Sequence, residues 1–394
     1  LHPSLKAIDW RDEKQTHRIS GMALRGETEL LFTTWDGDLF SVELTSLKQT
    51  KRAPAFKRLA RGLSEPMGLA VAGDRVFVTE KNEVTEVMDK DGDGLFETFR
   101  CVSHDWPCSM DYHEYLFGAV IQKGHLYFCN SVGMSRRSID NRQVPLRGSL
   151  IRVNIDTGHT EILAGGLRTP DGVGVDSDGT ILVTDNQGEW LPGNKLIRMK
   201  EGEFYQFRST PPRHPLDRSK TAPPTVWLPQ GEIASSPTQP VVIPESWGPY
   251  AGHILFGDAA FGGLQRAFLE TVDGVSQGAA FPFSQGLRHL PHRFVFSSDG
   301  RLWLGGIARG ADQEFIHRVS GLTEVRFTGK TAFEPLAARL HSDGIEIEFT
   351  QPLAEGEGWD QAAYLAHQWG YQATQTYGGQ KVRPRSVKIL SASV

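Results

Sequence analysis

Residues Gly172–Asp185 read GVGVDSDGTILVTD. Val173 and Val175 alternate with small or polar neighbours, Asp178-Gly179 supplies a tight polar turn, and Ile181 and Val183 restart the alternation. Strand side chains point to opposite faces in turn, so this pattern predicts two antiparallel strands joined by a hairpin. The same phrase recurs as GLAVAGDRVFVTE from Gly68, GAVIQKGHLYFCN from Gly118 and FVFSSDGRLWLGG from Phe294. Looser copies are GMALRGETELLFTTWDGDLFSVEL from Gly21 and GHILFGDAAFGGLQRAFL from Gly252. The copies recur at roughly 50-residue intervals, which is the spacing of propeller blades.

The reading is therefore an all-β chain: a six-bladed β-propeller over residues 1–329, followed by a small, apparently truncated β-sandwich-like module over 330–394. In that tail, SDGIEIEFTQPL from Ser342 and SVKIL from Ser386 have strand character. The tail offers few strands for a closed sandwich. The 42 glycines and 22 prolines agree with many short elements joined by turns. A propeller gathers equivalent loops at one mouth. Trp35-Asp36, Glu80-Lys81, Asn130-Ser131, Asp185-Asn186, Asp258 and Gly305-Gly306 are expected there, as residues that close the inner strands.

A net charge of −5 argues against a nucleic-acid partner, which needs a basic face. No apolar run is long enough to span a bilayer. Cys101, Cys108 and Cys129 form no CxxC or CxxCH motif. Cys101 and Cys108 are near enough in sequence to pair, although three free thiols fit equally well.

Four groups of residues carry candidate chemistry. Asp89, Asp91, Asp93 and Glu97 alternate around glycines in DKDGDGLFE. Hard oxygens at this spacing suit calcium in a structural blade loop, and Arg100 stands where an EF-hand would place its bidentate glutamate. HDWPCSMDYHEYLFG, from His104, precedes an inner strand. There His113 could serve as a base with Glu114 as its orienting partner, and Tyr112 and Tyr115, with Trp35, could stack a sugar. In the third group, Arg168 and Asp171 precede the Gly172 strand, and Asp185, Asn186, Glu189 and Trp190 follow it; arginine suits a carboxylate or phosphate. The fourth group is Glu232 and Gln239, with Asp258 ending a strand and His289, His292 and Arg293 before the last blade.

At MDKDGDG, DYHEYLFG, GLRTPDGVGVDSDG, TDNQGEW, PTQP and GDAAFGGLQRAF, the chain resembles large propeller proteins of Planctomycetes, Verrucomicrobia and Bacteroidetes. These are labelled membrane-bound dehydrogenase or haem-binding-domain proteins, and are distantly similar to soluble pyrroloquinoline-quinone (PQQ) sugar dehydrogenases. The resemblance spans about Ile19 to Gly321. It implies a six-bladed propeller, a secreted or periplasmic setting and, in longer members, further β-domains or a cytochrome c domain. It implies that His113 is the hydride-abstracting base and that Arg168 matches the arginine of an arginine–asparagine quinone clamp. Thr169 replaces that asparagine, no lysine stands near Phe261, and His292 with Arg293 only partly echoes a paired arginine. These departures count against PQQ, which stays open beside calcium as a cofactor.

Three functions follow as expectations. The first is an aldose-type sugar oxidoreductase with His113 as base in the central funnel. The second is a carbohydrate lyase or hydrolase that combines His113 with Glu114, Asp185 or Glu232, and Arg168. The third is a non-catalytic glycan-binding propeller.

Overall fold

The computed structural model describes residues 1–394 except 11–14, 48–54, 135–143, 209–214, 217–218 and 309–312. Six four-stranded antiparallel sheets form the blades. Their innermost strands are Ile19–Arg25, Gly68–Ala72, Leu116–Gln122, Gly172–Val175, Val241–Val242 and Pro291–Phe296. Blades one to five run outward in chain order. Blade six takes its outermost strand from the other end of the chain: Leu5–Trp10 pairs antiparallel with Gly321–Phe327, from Leu5 opposite Phe327 to Trp10 opposite Leu322.

The period-2 pattern explains how the ring holds together. Apolar residues on both faces of a blade pack against both neighbours, and the core divides accordingly. Phe77 and Val84 of blade two meet Leu116, Phe128 and Ile151 of blade three. Leu150 and Leu163 of blade three meet Val173, Val183 and Ile197 of blade four. Trp303 and Leu322 of blade six meet Ile19, Phe32 and Phe40 of blade one, which closes the circle. Burying each large side chain is worth roughly 1.5–3 kcal/mol, so the interblade layers dominate stability.

Near the axis the strands come too close for side chains. A Cβ on Gly68 would lie 2.2 Å from the Gly118 carbonyl oxygen of the next blade. Second-strand threonines bridge the same gap. Thr79 donates to the Leu116 carbonyl at 2.9 Å, and Thr184 to the Thr238 carbonyl at 2.9 Å.

Two expectations need correction. The mouth residues close each blade's second strand, as Asn130 and Asp185 do, and lie beside the start of the innermost one. The phrase from Gly252 holds the second and third strands of blade five, Ile254–Gly257 and Leu264–Val272. Its innermost strand, Val241–Val242, lies between Pro240 and Pro244, so it is too short to show alternation.

Beyond the propeller, Pro335–Leu340 pairs with Ile345–Phe349, and Ala366–Tyr371 with Lys381–Val387, as two separate two-stranded sheets. The first docks on blade five, where buried Arg266 donates to the carbonyls of Pro335 and Leu336. The second docks on blade four: Tyr371 packs on Trp227 with ring centroids 4.9 Å apart, and Lys381 Nζ lies 2.6 Å from Glu232. All three cysteines are unpaired. Among the described residues, no helix is long and apolar enough to cross a membrane.

Candidate functional site

Antiparallel blades bring the turn entering each innermost strand and the turn leaving each second strand to one end of the ring. Acidic or amide side chains at the second-strand ends brace the entering turns. Asp185, fully buried, accepts the N–H groups of Arg168 at 3.1 Å and Thr169 at 2.8 Å. Asp258 does the same for Ser236 at 2.9 Å and also accepts from Ala260 and Phe261, whereas the Asn130 side chain accepts from Ser149 at the start of its blade's third strand. Glu80 binds the Ser64 N–H and the Thr85 hydroxyl. These hydrogen bonds fix the loops that carry the chemistry.

Burial pushes Asp185 up to about 6 and its cross-strand partner Lys195 down to about 8, because each charge has lost its water. The Lys195 ammonium donates to the Tyr205 carbonyl at 2.9 Å.

His113 and Arg168, from adjacent blades, meet through one residue. The Val132 carbonyl lies 3.2 Å from His113 Nδ1, and the Val132 N–H donates to the Arg168 carbonyl at 3.0 Å. The first contact calls for a proton on Nδ1, which the ring donates to the carbonyl. The His113 ring sits between Tyr112 and Tyr115, with centroids at 5.7 and 5.8 Å. Tyr115 in turn meets Trp35 edge-on at 5.7 Å, so blades one and three share an aromatic wall. Tyr112 is exposed, and Tyr115 is fully buried.

Glu114 is committed elsewhere. Its carboxylate accepts from the Ser109 N–H at 2.6 Å and hydroxyl at 2.9 Å, and faces buried Arg147 at 3.6 Å. Its visible role is to shape the loop that presents His113.

Arg168 is only 2% exposed. Its Nη1 donates to Thr169 Oγ1 at 3.2 Å, and Nε lies 3.5 Å from Glu189. The ring of Tyr377 lies over the guanidinium, 4.8 Å from its carbon. The side chain passes Gly188 so closely that a Cβ there would lie 2.0 Å from Arg168 Cδ.

At the axis, Asp171 Oδ1 lies 2.9 Å from His292 Nε2 and 3.4 Å from Arg293 Nη1. Arg293 also donates to the carbonyls of Ser20, Met67 and Asp171, tying blades one, two and four together. Asn186 donates to Ser236 at 3.1 Å, and its buried Oδ1 has no partner among the described residues. Gln239 accepts from the Phe294 N–H at 3.1 Å. Glu232 lies away from His113, paired with Lys381 of the tail. The Trp190 N–H donates to the Thr374 carbonyl at 2.7 Å. His289 is buried against Thr323 Oγ1 at 2.8 Å.

Two participants, Tyr377 and Glu65, had no signal in the local sequence, and Lys81 was expected at the mouth without a partner. Tyr377 arrives from the tail. Lys81 Nζ sits 5.7 Å from the Tyr115 ring centroid. Glu65, held at a φ of 45°, binds both Trp35 Nε1 at 3.2 Å and Lys81 at 2.8 Å.

The acidic loop lies at the opposite end of blade two, between its third and fourth strands. One carboxylate oxygen from each of Asp89, Asp91 and Glu97 lies within 4.8 Å of the others. Calcium bonds of about 2.3–2.6 Å span such a cluster, so these residues fit the ion. Asp93 falls outside the trio and accepts from the Leu95 N–H at 2.8 Å.

A tricarboxylate quinone fits less well. It calls for several cations free to face it, but Arg168 is covered by Tyr377, Arg293 is spent on main-chain carbonyls and His292 is paired with Asp171. The residues as arranged do not fit PQQ.

No protein-family model matches this chain, and no curated protein matches its sequence. Solved structures do match. The oxidoreductase (glucose dehydrogenase) of Thermus thermophilus is 14% identical with a TM-score of 0.61, covering 82% of this chain and 100% of that one. The PQQ-bound aldose sugar dehydrogenase of Streptomyces coelicolor is 15% identical with a TM-score of 0.59, covering 83% and 100%. The calcium structure of a carbohydrate-active enzyme from Trichoderma reesei is 11% identical with a TM-score of 0.61, covering 83% and 96%. At these identities the likeness establishes the propeller fold.

Proposed function

We propose that this chain is an extracytoplasmic, carbohydrate-handling propeller that acts as an aldose-type sugar oxidoreductase at the His113–Arg168 mouth. The observation that carries the reading is the shared anchorage of His113 and Arg168 on Val132. It holds the His113 ring and the Arg168 main chain in fixed relation beside exposed Tyr112, with half-buried Trp35 behind buried Tyr115. Aromatic faces suit the apolar faces of sugar rings. The chain's own residues would hold the sugar and take its anomeric hydroxyl proton at His113. The C1–H bond would break with its two electrons passing as hydride to a separate two-electron acceptor of the quinone or redox-dye class, leaving the sugar lactone.

Sugar dehydrogenases among the structural neighbours support the reaction class, and the phrases from MDKDGDG to GDAAFGGLQRAF support membership of the haem-binding-domain-type propellers with a secreted or periplasmic setting. In this reading Asp89, Asp91 and Glu97 hold a structural calcium ion.

The deciding experiment is aldose-dependent dye reduction, with and without added PQQ and calcium, beside calorimetric sugar binding. Reduction that His113→Ala abolishes, with folding intact, supports the reading. Sugar binding without reduction makes the chain a glycan-binding propeller. New ultraviolet absorbance from an unsaturated uronate product makes it a lyase. Neither binding nor turnover with any sugar overturns it.

A further inference from the structure

We propose that Tyr377, delivered from the C-terminal tail, sets the charge specificity of the mouth by covering Arg168, so that the site selects neutral sugars over carboxylated ones. This deepens the carbohydrate reading and rests on it.

The placement is built from several independent contacts. The connection between Ala366–Tyr371 and Lys381–Val387 reaches over blade four. There Tyr377 forms a β-bridge with Glu189, the Trp190 N–H donates to the Thr374 carbonyl at 2.7 Å, and the Gly378 and Gly379 N–H groups donate to the carbonyls of Gly188 at 2.9 Å and Pro192 at 3.0 Å. Backbone hydrogen bonds fix the ring's position more firmly than a side-chain contact alone would.

The chemistry follows from what the ring covers. Arg168 is the guanidinium anchored beside His113 at this mouth; its Nε makes no hydrogen bond among the described residues, and Glu189 Oε2 lies 3.5 Å from it. A guanidinium under an aromatic face keeps its electrostatic partner but loses access to a bidentate carboxylate. Tyr377 is 53% exposed as a residue, which leaves it accessible to stack on a neutral sugar ring.

The experiment uses the full chain and the variants Tyr377→Ala and Tyr377→Phe. Phenylglyoxal labelling with peptide mapping reads the accessibility of Arg168, and calorimetry with matched neutral and uronate-bearing oligosaccharides reads specificity. Wild type and Tyr377→Phe should label slowly at Arg168 and prefer neutral sugars. Tyr377→Ala should label faster and shift the neutral-to-uronate affinity ratio roughly tenfold or more toward uronates, about the worth of one charge-assisted hydrogen bond. Rapid labelling of wild type, or an unchanged ratio in Tyr377→Ala, overturns the proposal. Sugar binding by none of the three proteins, with labelling that still rises in Tyr377→Ala, overturns the specificity together with the carbohydrate reading and leaves only the cover.

Discussion

Asp171 and His292 face each other across the propeller axis, with Oδ1 2.9 Å from Nε2 and Arg293 packed against the same carboxylate. All three residues are at most 3% exposed. Removing one partner of a buried charge pair strands the other. Arg293→Met should therefore cost about 3–5 kcal/mol, because it also frees the carbonyls of Ser20 and Met67. Urea denaturation measures this, and a loss below about 1 kcal/mol would show that the plug is not structural.

Gly188→Ala tests the path of Arg168. The new Cβ would sit 2.0 Å from Arg168 Cδ, and Gly188 is absent from the left-handed glycines, so the backbone itself tolerates alanine. The arginine must swing away from Thr169 and Glu189. Sugar affinity should change several-fold while the melting temperature moves only a few degrees. The reverse result would place Arg168 in the scaffold alone.

Chelating calcium should lower the melting temperature, and adding it back should restore it, since a ligand of the native state stabilises by mass action. Asp89→Asn should reduce the calcium response more than Asp93→Asn, because Asp93 lies outside the trio. A melting temperature indifferent to chelator excludes the ion from this loop.

His253 gives a pH test. Burial, with Arg266 beside it, lowers it to about 4 from an ordinary value near 6.5. The unfolded chain thus binds the extra proton first. Stability from this group is fully present above about 6.5 and is lost as pH falls toward about 4, by on the order of 2–3 kcal/mol. Other groups titrate in the same window, so the measurement is the difference between wild type and His253→Gln, a variant that can still accept from Arg266. A difference that stays flat between those limits refutes the burial argument.

The propeller was legible in the sequence because interblade packing writes period-2 alternation into nearly every blade. The phrase from Gly172 falls on two observed strands, Gly172–Val175 and Ile181–Asp185. Blade five hid its innermost strand because prolines leave it two residues long. The borrowed strand Leu5–Trp10 hid because its partner lies more than 300 residues away. Carboxylates such as Glu114 and Asp185 read locally as candidate acids or bases, but which hydrogen bonds they make is set by the turns beside them. Tyr377 could not be read at all, since nothing local marks a tail tyrosine as the cover of an arginine two hundred residues earlier.

The strand that Leu5–Trp10 lends to blade six gives the ring a seam with a mechanical polarity. Leu5 faces Phe327, so the chain enters and leaves the propeller at the same end of one antiparallel pair. Tension between the two ends of the ring would open that pair like a zipper, one rung at a time, rather than shear all its hydrogen bonds together. Contacts just outside the seam, from Thr328 to the Ser4 carbonyl at 2.8 Å and from His2 to Glu334 at 3.2 Å, stand at the point where such unzipping must begin. A load applied between Ser4 and Thr328 would thus meet this clasp before it reached the paired strands.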